Sequence, residues 1–288
     1  MNSAIKTMLE KYNPVNAGDY ENGLKEIVQE VALLGLWRAK FFEKAAFYGG
    51  TALRLLYGLD RFSEDIDFSL LEPDLKFNIY QYTSFVNDEL SSFGFAVTVE
   101  RKEKSNEANI ESAFIKGGTL KNLINIEVPA NLIHKFNKSK IMKIKIEVDI
   151  DPPSGFETEA KYLLNPVPFS VNAYKISDLF AGKMHAVLCR NWKTRVKGRD
   201  WYDLVWYISG NTPLNLKHLE KRMHQTGHLD IGIQLTKEKF KELFASRVES
   251  VDLEKAKNDV LPFIKNPVTL DIWSKTFFHE ISEMIMFL

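Results

Sequence analysis

The chain has 288 residues, 45% of them hydrophobic and 26% charged. That globular composition excludes a wholly disordered chain, and 15 Gly with 10 Pro exclude a collagen-like one. Lys and Arg number 38 and Asp and Glu 38, so the formal charge is zero and any contact with a polyanion must come from a local patch.

Residues 1–20 carry Lys6, Glu10, Lys11 and Asp19 without an apolar core, so no secretory signal is expected. No run approaches the roughly 18 apolar residues of a membrane span, and the expectation is a cytoplasmic protein. A helix is expected over 21–44, where Leu24, Ile27, Val28, Val31, Leu34 and Trp37 recur at helical spacing, with Gly35 as a weak point inside it. Phe47-Tyr48 then runs into Gly49-Gly50-Thr51, and a second helix follows until Gly58. Residues 65–70 alternate and predict a strand, and 76–92 predict a helix. Between 94 and 150 the period becomes two, giving strand candidates at 95–99, 113–115, 123–128 and 141–150. After Pro152-Pro153 and Pro166/Pro168 the pattern reads as helical to the end, with helices expected at 175–190, 198–209, 215–225, 236–247, 252–261 and 268–287. The expected fold class is α+β, a mixed sheet with flanking helices followed by an all-helical region. The boundary falls near 165–175, dividing the chain into 1–168 and 169–288.

Charge is uneven along this frame. Residues 60–74 hold six acids against Arg61, whereas 131–146 carry Lys135, Lys138, Lys140, Lys143 and Lys145 with no acid. Residues 175–199 carry seven Lys or Arg against Asp178. An acidic centre between basic segments suits a metal-dependent enzyme acting on a polyanion.

The chemistry concentrates on Asp65-Ile66-Asp67. Alternate strand residues share a face, so Asp65, Asp67 and Ser69 point one way and Ile66, Phe68 and Leu70 the other. Two carboxylates about 7 Å apart on one strand repel each other, and a hard divalent cation resolves that repulsion. Gly49-Gly50-Thr51 lies fourteen residues earlier, between a strand and a helix start. Such a turn brings backbone N–H groups close to an anion, and the helix offers its positive end to a phosphate. Thr51 can cap that helix or bond a phosphate oxygen. On 143–150, Glu147 or Asp149 can supply a third carboxylate, as a metal ligand or as the base that takes a proton from an attacking hydroxyl. Lys183 falls in the middle of the apolar stripe Ile176, Leu179, Phe180 and Val187, so it snorkels, bridges a buried acid or reaches into an active site. Asp200 and Asp203 are neighbours on one helical face near a helix start. His185 and Cys189 read as packing residues. As Cys189 is the one cysteine, neither a disulfide nor a cysteine-based zinc site is expected.

Four blocks in order, Phe47-Tyr-Gly-Gly-Thr-Ala-Leu-Arg54, Arg61-Phe-Ser-Glu-Asp-Ile-Asp-Phe68, the Lys183 helix and Arg195-x-Lys-x-Arg-Asp-x-x-Asp203, resemble the AbiEii/AbiGii toxin family of nucleotidyltransferases. The first two blocks alone resemble the wider DNA polymerase β-like superfamily. The resemblance implies an N-terminal nucleotidyltransferase domain, with the helical domain completing the active-site cleft. It also implies a bacterial toxin of a toxin–antitoxin or phage-defence pair with a cognate antitoxin; some members transfer nucleotides from NTP to the acceptor end of tRNA. Carried over, Gly49, Gly50 and Thr51 hold the triphosphate, Ser63 lines the same turn, and Asp65 and Asp67 hold Mg²⁺ or Mn²⁺. Glu147 or Asp149 completes the carboxylates. Lys183 and Asp200 match the later motif pair, with Lys183 neutralising the triphosphate and Asp203 beside it. From their charge, the basic segments 131–146 and 190–199, the second with Lys193, Arg195, Lys197 and Arg199, are the expected contacts to an RNA acceptor. The alternatives are a protein-modifying nucleotidyltransferase, a DxD-type glycosyltransferase and a non-catalytic nucleotide-binding module.

Overall fold

The structure is a computed structural model that describes residues 3–101, 109–125, 128, 130–190 and 196–288. The chain divides into two compact units, one of Met1–Leu56, Ser63–Pro152 and Glu159–Ala173, the other of Tyr57–Phe62, Pro153–Thr158 and Tyr174–Leu288.

The elements of the first unit are α1 (Ser3–Glu10), α2 (Ala17–Arg38), a 3₁₀ turn at Phe41–Glu43, β1 (Ala45–Tyr48), α3 (Gly49–Tyr57), β2 (Ile66–Leu70) and α4 (Tyr80–Ser92). They continue with β3 (Thr98–Arg101), β4 (Ile110–Gly118), α5 (Thr119–Asn125), α6 (Ala130–Ile133), β5 (Ile141–Asp149), β6 (Thr158–Leu163) and β7 (Phe169–Tyr174). The seven strands form one sheet in the order β3-β4-β5-β2-β1-β7-β6. β2 runs antiparallel to β1 and parallel to β5, so the acidic strand sits at the centre, flanked by the glycine-turn strand and the Glu147 strand. One face of β5 is wholly apolar and buried, with Met142, Ile144, Ile146 and Val148 in the core built on α2 and α4. The half-exposed residues Lys145, Glu147 and Asp149 line the other face.

Helix α2 begins four residues before the expected start. Asn16 accepts from the Asp19 amide at 3.0 Å while Asp19 accepts from the Asn16 amide at 3.3 Å, a capping box that satisfies two otherwise orphaned donors. Gly35 lies inside the helix for a packing reason. A Cβ there would come within 2.9 Å of the Val86 Cα and 3.0 Å of the Phe85 carbonyl, so glycine lets α2 cross α4 at backbone contact.

Structure and sequence pattern differ in three places. The strand expected at 123–128 begins inside α5, with residues 126, 127 and 129 outside the described set. The buried Asn122 side chain fixes that helix: its Oδ1 accepts from the Ala96 amide at 2.7 Å, and its Nδ2 donates to the Gly118 carbonyl at 3.0 Å. These tertiary bonds override the β-leaning run of Leu and Ile. The stretch 158–174, for which the sequence pattern predicts no element, holds β6 and β7, and β7 pairs parallel with β1 through Phe47 and Ala173. Alternation of buried Phe169, Val171 and Ala173 with half-exposed Ser170 and Asn172 is the period-two signal that the nearby prolines obscured. The last helix expected, 268–287, resolves into a 3₁₀ turn at Pro267–Leu270 and the short α12 (Lys275–Ser282).

A polar cluster interrupts the apolar layer of the first unit. Tyr12 donates its hydroxyl to Glu26 Oε1 at 2.9 Å, and Arg54 Nε donates to Glu26 Oε2 at 2.9 Å. Glu30 is 6% exposed beside them, and burial pushes its carboxyl up to about 7, with Lys11 opposing and Glu26 adding to the rise. A carboxyl with a raised folded pKa stabilises the fold most below its unfolded value of about 4.3 and loses that contribution as pH climbs through about 7. Glu30→Gln is therefore expected to be close to neutral at pH 4 and to stabilise the chain by about 1–3 kcal/mol at pH 8. Urea melts at the two pH values check this; an equal effect at both would show that Glu30 titrates normally.

The second unit is helical: α7 (Ile176–Cys189), α8 (Gly198–Ser209), α9 (Leu216–Gln225), α10 (Lys237–Ser250), α11 (Leu253–Val260), a 3₁₀ turn at Leu261–Phe263, the turn at 267–270, and α12. Aromatic rings fill its core. Phe180 and Tyr207 stack 4.4 Å apart, joining α7 to α8, and Trp201 meets Phe278 edge-on at 4.8 Å. Gly198 opens α8 against α11, where a Cβ would sit 1.8 Å from the Ala256 carbonyl oxygen. Among the described residues, no helix is long and apolar enough to cross a membrane.

Candidate active site

The centre of the sheet brings the glycine turn and the acids together. Antiparallel pairing sets Tyr48 opposite Asp67, so the chain turns into α3 beside the Asp67 carboxylate. Gly49 has φ +83°, and a Cβ on it would lie 2.4 Å from Asp67 Oδ2. Glycine is required there twice over, for the backbone conformation and for the room that the carboxylate takes. Asp67 thereby lies against the start of a nine-residue helix, whose first N–H groups form a ready anion site.

Parallel pairing sets Asp67 opposite Glu147, and Asp149 opposite Ser69 one pleat further along. The two third-carboxylate candidates are thus unequal: Glu147 is the immediate cross-strand neighbour of Asp67. Lys145 Nζ lies 2.5 Å from Glu147 Oε1, a pairing along the strand that the sequence reading did not anticipate. Asp149 accepts from the Asp151 amide at 3.1 Å and so also shapes the turn after β5. Ser69 leaves the polar row, being 1% exposed with its hydroxyl donating to the Leu70 carbonyl.

The loop carrying Asp65 is fixed from two sides. Thr51 is fully buried and donates its hydroxyl to the Asp65 carbonyl. Gln29, 1% exposed on α2, donates to the carbonyls of Ser63 and Glu64 at 3.1 and 3.0 Å. Thr51 therefore holds the acidic loop through its hydroxyl, and Ser63 takes part through its carbonyl. Gln29 carried no sequence signal beyond being a polar residue on an apolar helix. Asp65 and Asp67 are hard oxygen donors beside the start of α3, which is the donor chemistry of Mg²⁺ shared between protein and nucleotide. The space that a Cβ at position 49 would fill is taken by the Asp67 carboxylate, so it is the oxygen donor set that fits such a group.

In the second unit Lys183 takes the bridging course of the three open to it. Its Nζ lies 2.7 Å from Asp200 Oδ1 and 2.9 Å from Asp203 Oδ2. Arg61 adds a bidentate pair to Asp203, Nε to Oδ1 and Nη2 to Oδ2, each at 2.6 Å, with both side chains buried. Arg190 Nη1 completes the cluster at 2.9 Å from Asp200 Oδ2. Burial alone would raise both carboxyls, but Lys183 and then Arg190 hold Asp200 below the usual carboxylate range, and Arg61 and then Lys183 do the same for Asp203. Arg61 went unrecognised in the sequence as a partner because it sat alone among six acids.

The basic segments are more committed than their composition suggests. Lys140 pairs with Glu21, Lys143 lies over the Phe114 ring at 3.9 Å, and Lys145 takes Glu147, while Lys135 and Lys138 are exposed. Arg199 stacks on Phe263 at 4.1 Å, and burial lowers the Lys197 pKa. Lys193 and Arg195 lie outside the described residues.

The match that decides the family spans residues 31–279, and its description is the nucleotidyl transferase AbiEii toxin of a type IV toxin–antitoxin system. The chain belongs to this family. AbiEii membership makes it a nucleotidyltransferase of the toxin class, with a nucleotide substrate and an antitoxin as partner. No curated protein matches the chain. Among solved structures it is similar to JHP933 from Helicobacter pylori, at 18% identity and a TM-score of 0.43 over 90% of this chain and 86% of that one. It is also similar to an antigenic nucleotidyltransferase-like protein from Paracoccidioides brasiliensis, at 16% identity and a TM-score of 0.40 over 84% and 95%. Neither likeness bears on the AbiEii assignment, which stands on the family match.

Proposed function

We propose that the chain transfers a nucleotide from an NTP to a hydroxyl of RNA, with tRNA as the acceptor class, and that this arrests growth until the antitoxin intervenes. The close seat of the Asp67 carboxylate against Gly49, with Glu147 as its cross-strand neighbour, carries this reading. In the reaction the acceptor hydroxyl attacks the α-phosphorus in line, and pyrophosphate leaves. The backbone of Gly49 and Gly50 at the start of α3 orients the triphosphate. Asp65 and Asp67 would hold Mg²⁺ or Mn²⁺, which when bound offsets the charge of the phosphates and of the oxygens that attack and leave. Glu147, balanced against Lys145, accepts the hydroxyl proton, and Asp149 shapes the turn beyond it. Lys183, Asp200 and Asp203 enter as a buried charge-paired frame that sets α7 against α8. Exposed Lys135 and Lys138, with Lys197, supply RNA-backbone contacts.

Incubating the protein with labelled NTPs and a cell extract tests this. Label is expected on RNA, lost on RNase treatment and retained after protease, and RNA binding should weaken with salt at about −0.7 log units per phosphate contact. Label that survives RNase and is lost to protease would replace RNA with a protein acceptor.

A further inference from the structure

Nucleotidyl transfer leaves three chemically capable side chains of the second unit unused. His185 and Cys189 stand four residues apart on α7, one turn from each other on the same face, and His228 follows the end of α9. One ligand atom from each lies within 4.8 Å of the other two. The two imidazoles cross at 88° with centroids 5.9 Å apart.

Thr226 explains how the rings are held. Its hydroxyl gives its single proton to the Arg222 carbonyl at 2.9 Å, so towards the rings it only accepts. His185 Nε2 at 2.9 Å and His228 Nδ1 at 2.8 Å are therefore both N–H donors to that oxygen. Each ring keeps one unprotonated nitrogen, and the one Thr226 oxygen orients both rings, the kind of outer support that metal-bound histidines ordinarily have.

We propose that His185, Cys189 and His228 form a site for one thiophilic divalent cation, Zn²⁺ by its chemistry, which ties the last turn of α7 to the turn after α9. Two imidazoles and a thiolate are a borderline-soft set that suits Zn²⁺ or Co²⁺, whereas Mg²⁺ takes oxygen ligands. One cysteine is enough when two histidines complete the set, which reverses the argument from cysteine count. Three protein ligands leave a fourth position for water, and a cavity of about 290 Å³ bordered by Cys189, His228, Ser246 and Arg247 has room for it. Burial, then Arg222, pushes the His185 pKa down to about 3, so the ring is neutral at pH 7. Burial pushes the Cys189 thiol up to about 11, so coordination is what ionises it, releasing its proton to solvent. Arg190, Arg222 and Arg247 around the cluster oppose a dication, and the thiolate formed on binding offsets part of that opposition.

Titrating the metal-free full chain with Co²⁺ tests the site, because Cys189 is the one sulfur in the chain that can give a thiolate-to-cobalt charge-transfer band. One equivalent should saturate a near-ultraviolet band, which Zn²⁺ then bleaches. Cys189→Ser should abolish the band. His228→Gln, at an exposed position, should weaken cobalt binding at least tenfold with an unchanged circular dichroism spectrum. Asp67→Asn should leave the titration as in the wild type, which separates this site from the one in the sheet. Absence of the band in the wild type, or a midpoint that His228→Gln does not move, would overturn the proposal.

Discussion

Asp67→Asn is expected to lower nucleotidyl transfer at least a hundredfold, on the order of what removing one preorganised electrostatic group from a reacting centre costs, while the fold survives. Asparagine keeps the shape that fits against Gly49, where the carboxylate oxygen occupies the place of a Cβ, so packing gives no reason for collapse. The substitution also removes one of two like charges from neighbouring positions, Asp65 and Asp67. The melting temperature should therefore hold or rise by roughly a degree or two, a change within about 1 kcal/mol. Calorimetry of Mg²⁺-NTP binding and a transfer assay on the same preparation read the two halves separately. Equal Mg²⁺-NTP affinity and equal turnover in variant and wild type would remove Asp67 from the site.

The second large effect concerns stability. Asp203→Ala is expected to cost about 3–5 kcal/mol, because it leaves the Arg61 guanidinium buried beside a truncated partner and takes one of two carboxylates from Lys183. Arg61→Ala should cost less, since Lys183 still meets Asp203 at 2.9 Å. The sign with pH follows from the lowered pKa values of Asp200 and Asp203. A carboxyl whose folded pKa is depressed contributes its full stability above the unfolded value of about 3.9, and loses it as pH falls through the folded pKa. The gap between wild type and Asp203→Ala should therefore be constant from pH 8 to 5 and close below about pH 4. Urea denaturation across that range measures it. A larger loss for Arg61→Ala than for Asp203→Ala would mean that Lys183 does not share Asp203.

The sequence disclosed the acidic strand and its neighbours better than what surrounds them. Asp65 and Asp67 stood out because two carboxylates on one strand have no structural use, and the alternation of β5 put Glu147 and Asp149 on its half-exposed face. Choosing between those two needs the β2–β5 register, which no local pattern contains. Lys183 stood out for being a cation in an apolar stripe, but its partners lie 17 and 20 residues along the chain and Arg61 lies far earlier, so only the fold joins them. Gly35 weakened the helix reading and is explained by the backbone of α4 that passes against it, while the strand expected at 123–128 gave way to a helix that Asn122 ties to Ala96. β6 and β7 were hidden because proline reads as a breaker, although Phe169, Val171 and Ala173 alternate cleanly.

The attachments of the acidic loop carry a further consequence. Its carbonyls are held by Gln29 from within the core helix and by Thr51 from the first turn of α3, and both side chains are buried. Opening residues 63–65 on their own would strand those polar groups in an apolar layer, so the loop has no inexpensive partial excursion of the kind that surface loops make. Its carbonyl anchors should stay in place until the central strands themselves come apart, and Asp65 then waits in position without having to be ordered by the nucleotide. Substitutions on α2, remote from any reacting atom, would consequently register as altered turnover before they register as altered shape.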